Sequence, residues 1–122
     1  MSIFDQVQTV ITEVLEVEPE EVNLETYVLR DLPTESIDLM EYGVGLTKEC
    51  GISVQDETVF LKSFRMHIAE ANDKGLKPAT HLATIYPHLT SARIEAMLEN
   101  INEGPVLQVR DIVAYVEHAK RV

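Results

Sequence analysis

The run Asp31-Leu32-Pro33-Thr34-Glu35-Ser36-Ile37-Asp38-Leu39-Met40-Glu41 holds the residues best placed to do chemistry. It sets one serine at the start of a helical pattern, between two acids, with apolar residues behind it. A helix N-terminus offers unpaired N–H groups and a partial positive charge. That end suits a phosphate ester on a serine oxygen. As a nucleophile Ser36 lacks a base, because no histidine is near it in sequence and the flanking acids stand too close. A modified serine therefore fits better than a catalytic one. Taken alone, the run is read at least as well by a plain structural role, with Ser36 as an N-cap.

The other reactive side chains form no comparable pattern. His67, His81, His88 and His118 carry no metal signature, since His81 and His88 lie across Pro87 and no cysteine pair accompanies them. The single cysteine, Cys50, follows an apolar helix and reads as a small core residue. With no nucleophile–base pair, metal cluster or phosphate-cradling glycine loop, no enzymatic activity is expected.

Helices must position these residues. Phe4, Val7, Ile11 and Val14 recur at helical spacing over 3–16, with Ser2 and Asp5 as a capping pair. Residues 18–34 read as a long loop whose Val22, Leu24, Val28, Leu29 and Leu32 pin it across a bundle. A second helix over 36–49 takes its apolar face from Ile37, Met40, Val44 and Leu46, and Gly51 stops it. Ile52-Ser53-Val54 alternates like a strand but is too short to build a sheet. Asp56 caps a third helix over 57–73, striped by Phe60, Phe64, Ile68 and Ala71. Pro78 opens a fourth that stops at Pro87, and Thr90 or Ser91 starts a fifth with Ile94, Met97, Leu98 and Ile101. Gly104-Pro105 breaks the chain before a last helix over 109–119.

The 122 residues, 45% hydrophobic, suffice for one compact all-α domain. Net charge is −11, which argues against nucleic acid and anionic membranes and favours basic patches on proteins. The acidity is concentrated: residues 1–62 hold 14 acids and 3 bases, residues 63–104 hold 5 and 4, and residues 105–122 hold 2 and 3. No signal-like start and no apolar stretch of transmembrane length is seen, so the cytosol is the expected compartment.

Several motifs now fall in a recognisable order. Val10-Ile11-x-Glu13-x-Leu15-x-Val17 and Glu20-Glu21-Val22 precede Asp31-Leu32-Pro33-Thr34-Glu35-Ser36-Ile37-Asp38. Gly51-Ile52-x-Val54-x-Asp56-Glu57 and Val109-x-Asp111-Ile112-Val113-x-Tyr115-Val116 follow it. Residues 1–62 together with 106–119 thereby resemble an acyl carrier protein. The family pattern around the serine is Asp-Leu-Gly-x-Asp-Ser-Leu-Asp before an acidic recognition helix. Here Pro33 replaces the glycine, Glu35 and Ile37 replace Asp and Leu, and Thr47 and Lys48 stand where many members carry acids. Cys50 is smaller than the Phe often found there, and Leu107-Gln108 replaces the Thr cap of the last helix.

The resemblance implies a four-helix bundle with about two extra helices inserted between the third and last. It implies a covalent 4′-phosphopantetheine on Ser36 carrying acyl groups as thioesters. Glu35, Asp38 and Glu41 would be the acidic surface read by a phosphopantetheinyl transferase and by acyl-processing enzymes with basic patches. Ile37, Met40, Val44, Leu46 and Ile52 are the candidate lining of an acyl cavity, and the protein is expected to act as a monomer. Residues 63–104 have no counterpart in ordinary carriers. They read as a shield for a long acyl chain, as a docking surface, or as structural padding. Gly43 and Gly45 cost about 1 kcal/mol each within a helix; they either widen the cavity or, as favoured here, let an extra helix pack closely. The insertion indicates a specialised carrier for lipid biosynthesis, including very long or lipid A acyl chains. Polyketide or peptide metabolism, or an unmodified interaction module, are the alternatives.

Overall fold

Ser2 starts the first helix. Its hydroxyl accepts from the Asp5 N–H at 3.0 Å, and the Asp5 carboxylate accepts from the Ser2 N–H at 3.2 Å, a reciprocal cap. The computed structural model describes residues 1–122. Its helices are α1 (Ile3–Leu15), α2 (Ser36–Cys50), α3 (Asp56–Val59), α4 (Phe64–Asp73), α5 (Pro78–Ile85), α6 (Ser91–Glu99) and α7 (Val109–Arg121). Short 3-10 turns lie at Pro19–Glu21 and Ile101–Glu103. The all-helical expectation holds, with helices added between the third and the last. None of them is long and apolar enough to cross a membrane.

The helices share one apolar cluster. α1 contributes Val7, Val10 and Ile11, α2 contributes Leu39, Tyr42, Leu46 and Cys50, and α7 contributes Val109, Ile112, Tyr115 and Val116. Phe64, Leu82, Tyr86, Ile94 and Met97 from residues 63–104 belong to the same cluster. Burying an aliphatic or aromatic side chain of this size stabilises by about 1.5–3 kcal/mol, so the inserted helices are part of what holds the bundle together.

The long loop is pinned as expected, chiefly by hydrogen bonds to the far end of the chain. The Val28 N–H donates to the Leu107 carbonyl at 3.0 Å. The Val109 and Arg110 N–H groups donate to the Thr26 and Leu24 carbonyls, each at 3.0 Å. Gln108 Nε2 donates to the Glu25 carbonyl at 3.0 Å. Val22, Val28 and Leu32 are buried, but Leu24 is exposed.

The third helix departs from expectation. Instead of running unbroken over 57–73 it ends after one turn, and Leu61 takes a φ of 54° before α4 begins. Val59, Phe60, Leu61 and Phe64 are all buried. Those positions spread too widely around one helix to share a stripe of about 100°, so the chain turns between them. Gln55, with extended backbone, holds the cap position, and Asp56 is the first helical residue.

The glycines of α2 also differ from expectation. A Cβ on Gly45 would lie 2.7 Å from Val10 Cγ1, so Gly45 admits α1. A Cβ on Gly43 would lie 2.7 Å from Asp56 Oδ1, so Gly43 admits the start of α3. Neither makes room for an inserted helix. Gly51 closes α2 in the left-handed conformation at φ 65°, with its N–H on the Thr47 carbonyl.

Candidate functional site

Glu35, in extended conformation, occupies the N-cap position of α2, and Ser36 is the first helical residue. The capping role considered for Ser36 therefore falls to its neighbour. Asp38 completes the start of the helix: its Oδ2 accepts from the Glu35 N–H at 2.8 Å. Both acids beside the serine suit the positive end of the helix dipole. Ser36 itself is exposed, at the end of the helix where N–H groups lack intrahelical acceptors.

The approach to the serine is braced from two sides. Thr34 Oγ1 and Tyr42 Oη are 2.9 Å apart, tying the residues before the helix to its second turn. Tyr42 is fully buried, and that burial pushes its hydroxyl up to about 12, so it stays protonated. Farther back, the Arg30 guanidinium sits 3.7 Å over the Tyr27 ring while its Nε donates to the Pro105 carbonyl at 2.7 Å.

The exposed side of α2 carries Glu35, Ser36, Ile37, Met40, Glu41 and Val44, with Asp38 half-buried beside them. Ile37, Met40 and Val44 are 62%, 60% and 58% exposed. They do not line the interior; the core-facing stripe is Leu39, Tyr42, Leu46 and Cys50. Both stripes have helical spacing, and the one that packs is the one that joins the core cluster. Of the five candidate cavity residues, Leu46 is buried and Ile52 half-buried. The outward residues form a shallow hollow of Ile37, Met40, Glu41 and Val44, an apolar strip edged by acid.

A different groove, of about 280 Å³, opens where the carrier-like framework meets the inserted residues. Leu29, Phe60, Leu61, Phe64, Ile101 and Leu107 supply its apolar wall, and Lys62 and Arg65 are among its other lining residues. Arg65 donates through Nη2 to the Ile101 carbonyl, joining α4 to the turn after α6. The α3–α4 break, which periodicity did not reveal, creates one side of this groove.

The histidines are not all dispersed. His67 Nδ1 lies 2.9 Å and His81 Nε2 3.3 Å from the same oxygen, Glu70 Oε1. The His67 contact, and then the His81 contact, hold the Glu70 carboxyl below its ordinary range. The i, i+3 spacing of His67 and Glu70 was visible in the sequence; the arrival of His81 required the turn between α4 and α5. His88 is buried elsewhere, against Tyr115 at 5.3 Å between ring centroids, and burial lowers it to about 4.

Curated relatives align with about half of this chain. It is 39% identical over 57 residues to an acyl carrier protein of Helicobacter acinonychis, covering 47% of this chain and 73% of that protein. It is 39% identical over 57 residues to an acyl carrier protein of Wolinella succinogenes, covering 47% and 75%. It is 34% identical over 56 residues to an acyl carrier protein of Campylobacter curvus, covering 46% and 73%. No family model and no solved structure matches the chain.

Proposed function

The chain belongs to the acyl carrier protein family, and on that premise we propose that it carries acyl groups on a 4′-phosphopantetheine arm joined through a phosphodiester to Ser36 Oγ. The observation that carries this reading is the setting of Ser36: an exposed hydroxyl on the first residue of a helix, with the capping done by Glu35 and Asp38. An anionic phosphodiester fits there, because the helix end offers free N–H groups and positive potential. The arm supplies a terminal thiol that holds the acyl group as a thioester. The chain's own residues present the arm and identify it to visitors.

Glu35, Asp38 and Glu41 meet basic patches on a phosphopantetheinyl transferase and on acyl-processing enzymes, which steers encounter and sets orientation. Ile37, Met40 and Val44 add the apolar centre of that docking face. The reaction chemistry belongs to the visiting enzymes. The groove walled by Leu29, Phe60, Leu61 and Phe64 receives an acyl tail. Its mainly hydrophobic lining supports a lipid cargo, and the inserted residues extend the wall toward the long chains of specialised lipids such as lipid A. At about 280 Å³ it sits near the small end of ligand pockets, roughly 300–1,000 Å³, so a long tail requires it to widen.

The test is incubation with coenzyme A and a broad-specificity transferase, followed by intact mass measurement. A gain of one phosphopantetheine that Ser36→Ala abolishes is expected. A wild-type chain that never gains the group would leave only an unmodified helical module.

A further inference from the structure

α4 and α5 form a helical hairpin joined by residues 74–77. His67 and Glu70 stand one turn apart on α4, and His81 comes from the first turn of α5. One ligand atom from each of the three side chains lies within 4.8 Å of the other two, and His67 Nδ1 and His81 Nε2 both face Glu70 Oε1. We propose that these three side chains form a site for a divalent transition-metal ion of the zinc class, which clamps α4 to α5.

The donor set argues for that class of ion. Two imidazoles and a carboxylate bind zinc, with a fourth position left for water. Calcium and magnesium prefer oxygen donors throughout. Ligands about 2.0–2.2 Å from a tetrahedral ion stand roughly 3.4 Å apart. Two of the three spacings here, 2.9 and 3.3 Å, lie close to that value. The site is neither sealed nor loose: the His67 and His81 side chains are 23% and 16% exposed, and that of Glu70 is 40% exposed. The His67 ring is held edge-on to the Tyr86 ring at 6.0 Å between centroids. Lys74 lies close enough to act on Glu70 and opposes a second positive charge, which tempers the affinity.

Without metal, the ring nitrogens facing Glu70 hydrogen-bond to its carboxylate. Coordination needs lone pairs at those same nitrogens. A proton on either of them leaves to solvent, and a ring that was neutral takes one up from solvent at its other nitrogen, so each bound ring is neutral with its proton on His67 Nε2 or His81 Nδ1. The site is separate from Ser36 and does not depend on its modification.

The full chain, stripped with EDTA and desalted, would be titrated with zinc chloride and, separately, with cobalt chloride. One zinc per chain, a rise in melting temperature and the visible absorption of tetrahedral cobalt are expected. His81→Ala and Glu70→Ala should weaken zinc binding at least tenfold, whereas His118→Ala and Ser36→Ala should leave it unchanged. Imidazole NMR signals of the wild type provide a readout independent of variant folding, with zinc shifting His67 and His81 and sparing His88 and His118. Absence of stoichiometric zinc binding, or binding that shifts other histidines instead, would overturn the proposal.

Discussion

Arg93 and Asp111 form a two-pronged ion pair across α6 and α7, with Nε to Oδ1 at 2.8 Å and Nη2 to Oδ2 at 3.0 Å. Asp111 is 1% exposed, and its Oδ2 also accepts from the Gln108 N–H at 2.8 Å. Arg93 further donates to the Val106 carbonyl at 2.9 Å. This pair ties the insertion to the last helix of the carrier framework.

Arg93→Ala is therefore expected to destabilise the protein by roughly 3–5 kcal/mol, because it strands a buried carboxylate. Replacing both partners with apolar residues of similar volume should cost far less. Urea denaturation of the single and double variants measures the difference. The same logic predicts that cutting out residues 63–104 lowers stability as well as any protection of the cargo.

The two glycines of α2 should respond oppositely to alanine. At Gly45 the new methyl meets the stiff, buried Val10 side chain at 2.7 Å. Overpacking of about 1–3 kcal/mol then outweighs the helix gain of roughly 1 kcal/mol. At Gly43 the obstacle is the Asp56 carboxylate, which can swing aside. Gly43→Ala should be neutral or stabilising by up to about 1 kcal/mol, and Gly45→Ala destabilising, in thermal or urea unfolding.

His88 makes stability fall with acid. Its ring is lowered from 6.5 to about 4, first by burial and then by His118. The unfolded chain therefore takes up a proton below pH 6.5 that the folded chain resists until about pH 4. The stabilisation is complete above pH 6.5 and is lost progressively between those values, by roughly 3 kcal/mol. His88→Gln should flatten this part of the stability–pH curve; a curve unchanged by the substitution would remove His88 as the cause.

Charge reversal on the docking face should slow loading without unfolding the chain. Glu41→Lys is exposed, so its effect on stability should stay within about 0.5 kcal/mol. The transferase kcat/KM is expected to fall about tenfold at low salt and to recover part of the loss as salt screens the charges. Met40→Gln should weaken loading with little salt dependence.

Filling the groove should expose a long cargo. Ile101→Trp places a large ring on its wall. Hydrolysis of a long-chain thioester is expected to speed up severalfold relative to wild type, and that of an acetyl thioester to stay unchanged.

Helix ends were largely legible in the sequence. Ser2, Gly51, Pro78 and Thr90 each act locally, through a cap, a left-handed turn or a fixed φ, and each marks a boundary in the structure. The placement of Ser36 and its acidic neighbours at a helix start was legible for the same reason. What was not legible depends on partners distant in sequence. Ile37-Met40-Val44 and Leu39-Tyr42-Leu46 have equal helical spacing, and only the packing of α2 into the bundle decides which is buried. The break at Leu61 follows from burying both sides of a short apolar run. His81 meets Glu70 only once the hairpin has formed.

The stitching of residues 24–28 to residues 107–110 has a consequence for synthesis. The stretch that leads into α2 finds these hydrogen-bonding partners roughly 80 positions downstream. A nascent chain halted before residue 107 lacks all of them, so the ground beneath the serine sets only once residues 107–110 have emerged. Closing so distant a contact is also slow, which makes this seam a late event in maturation.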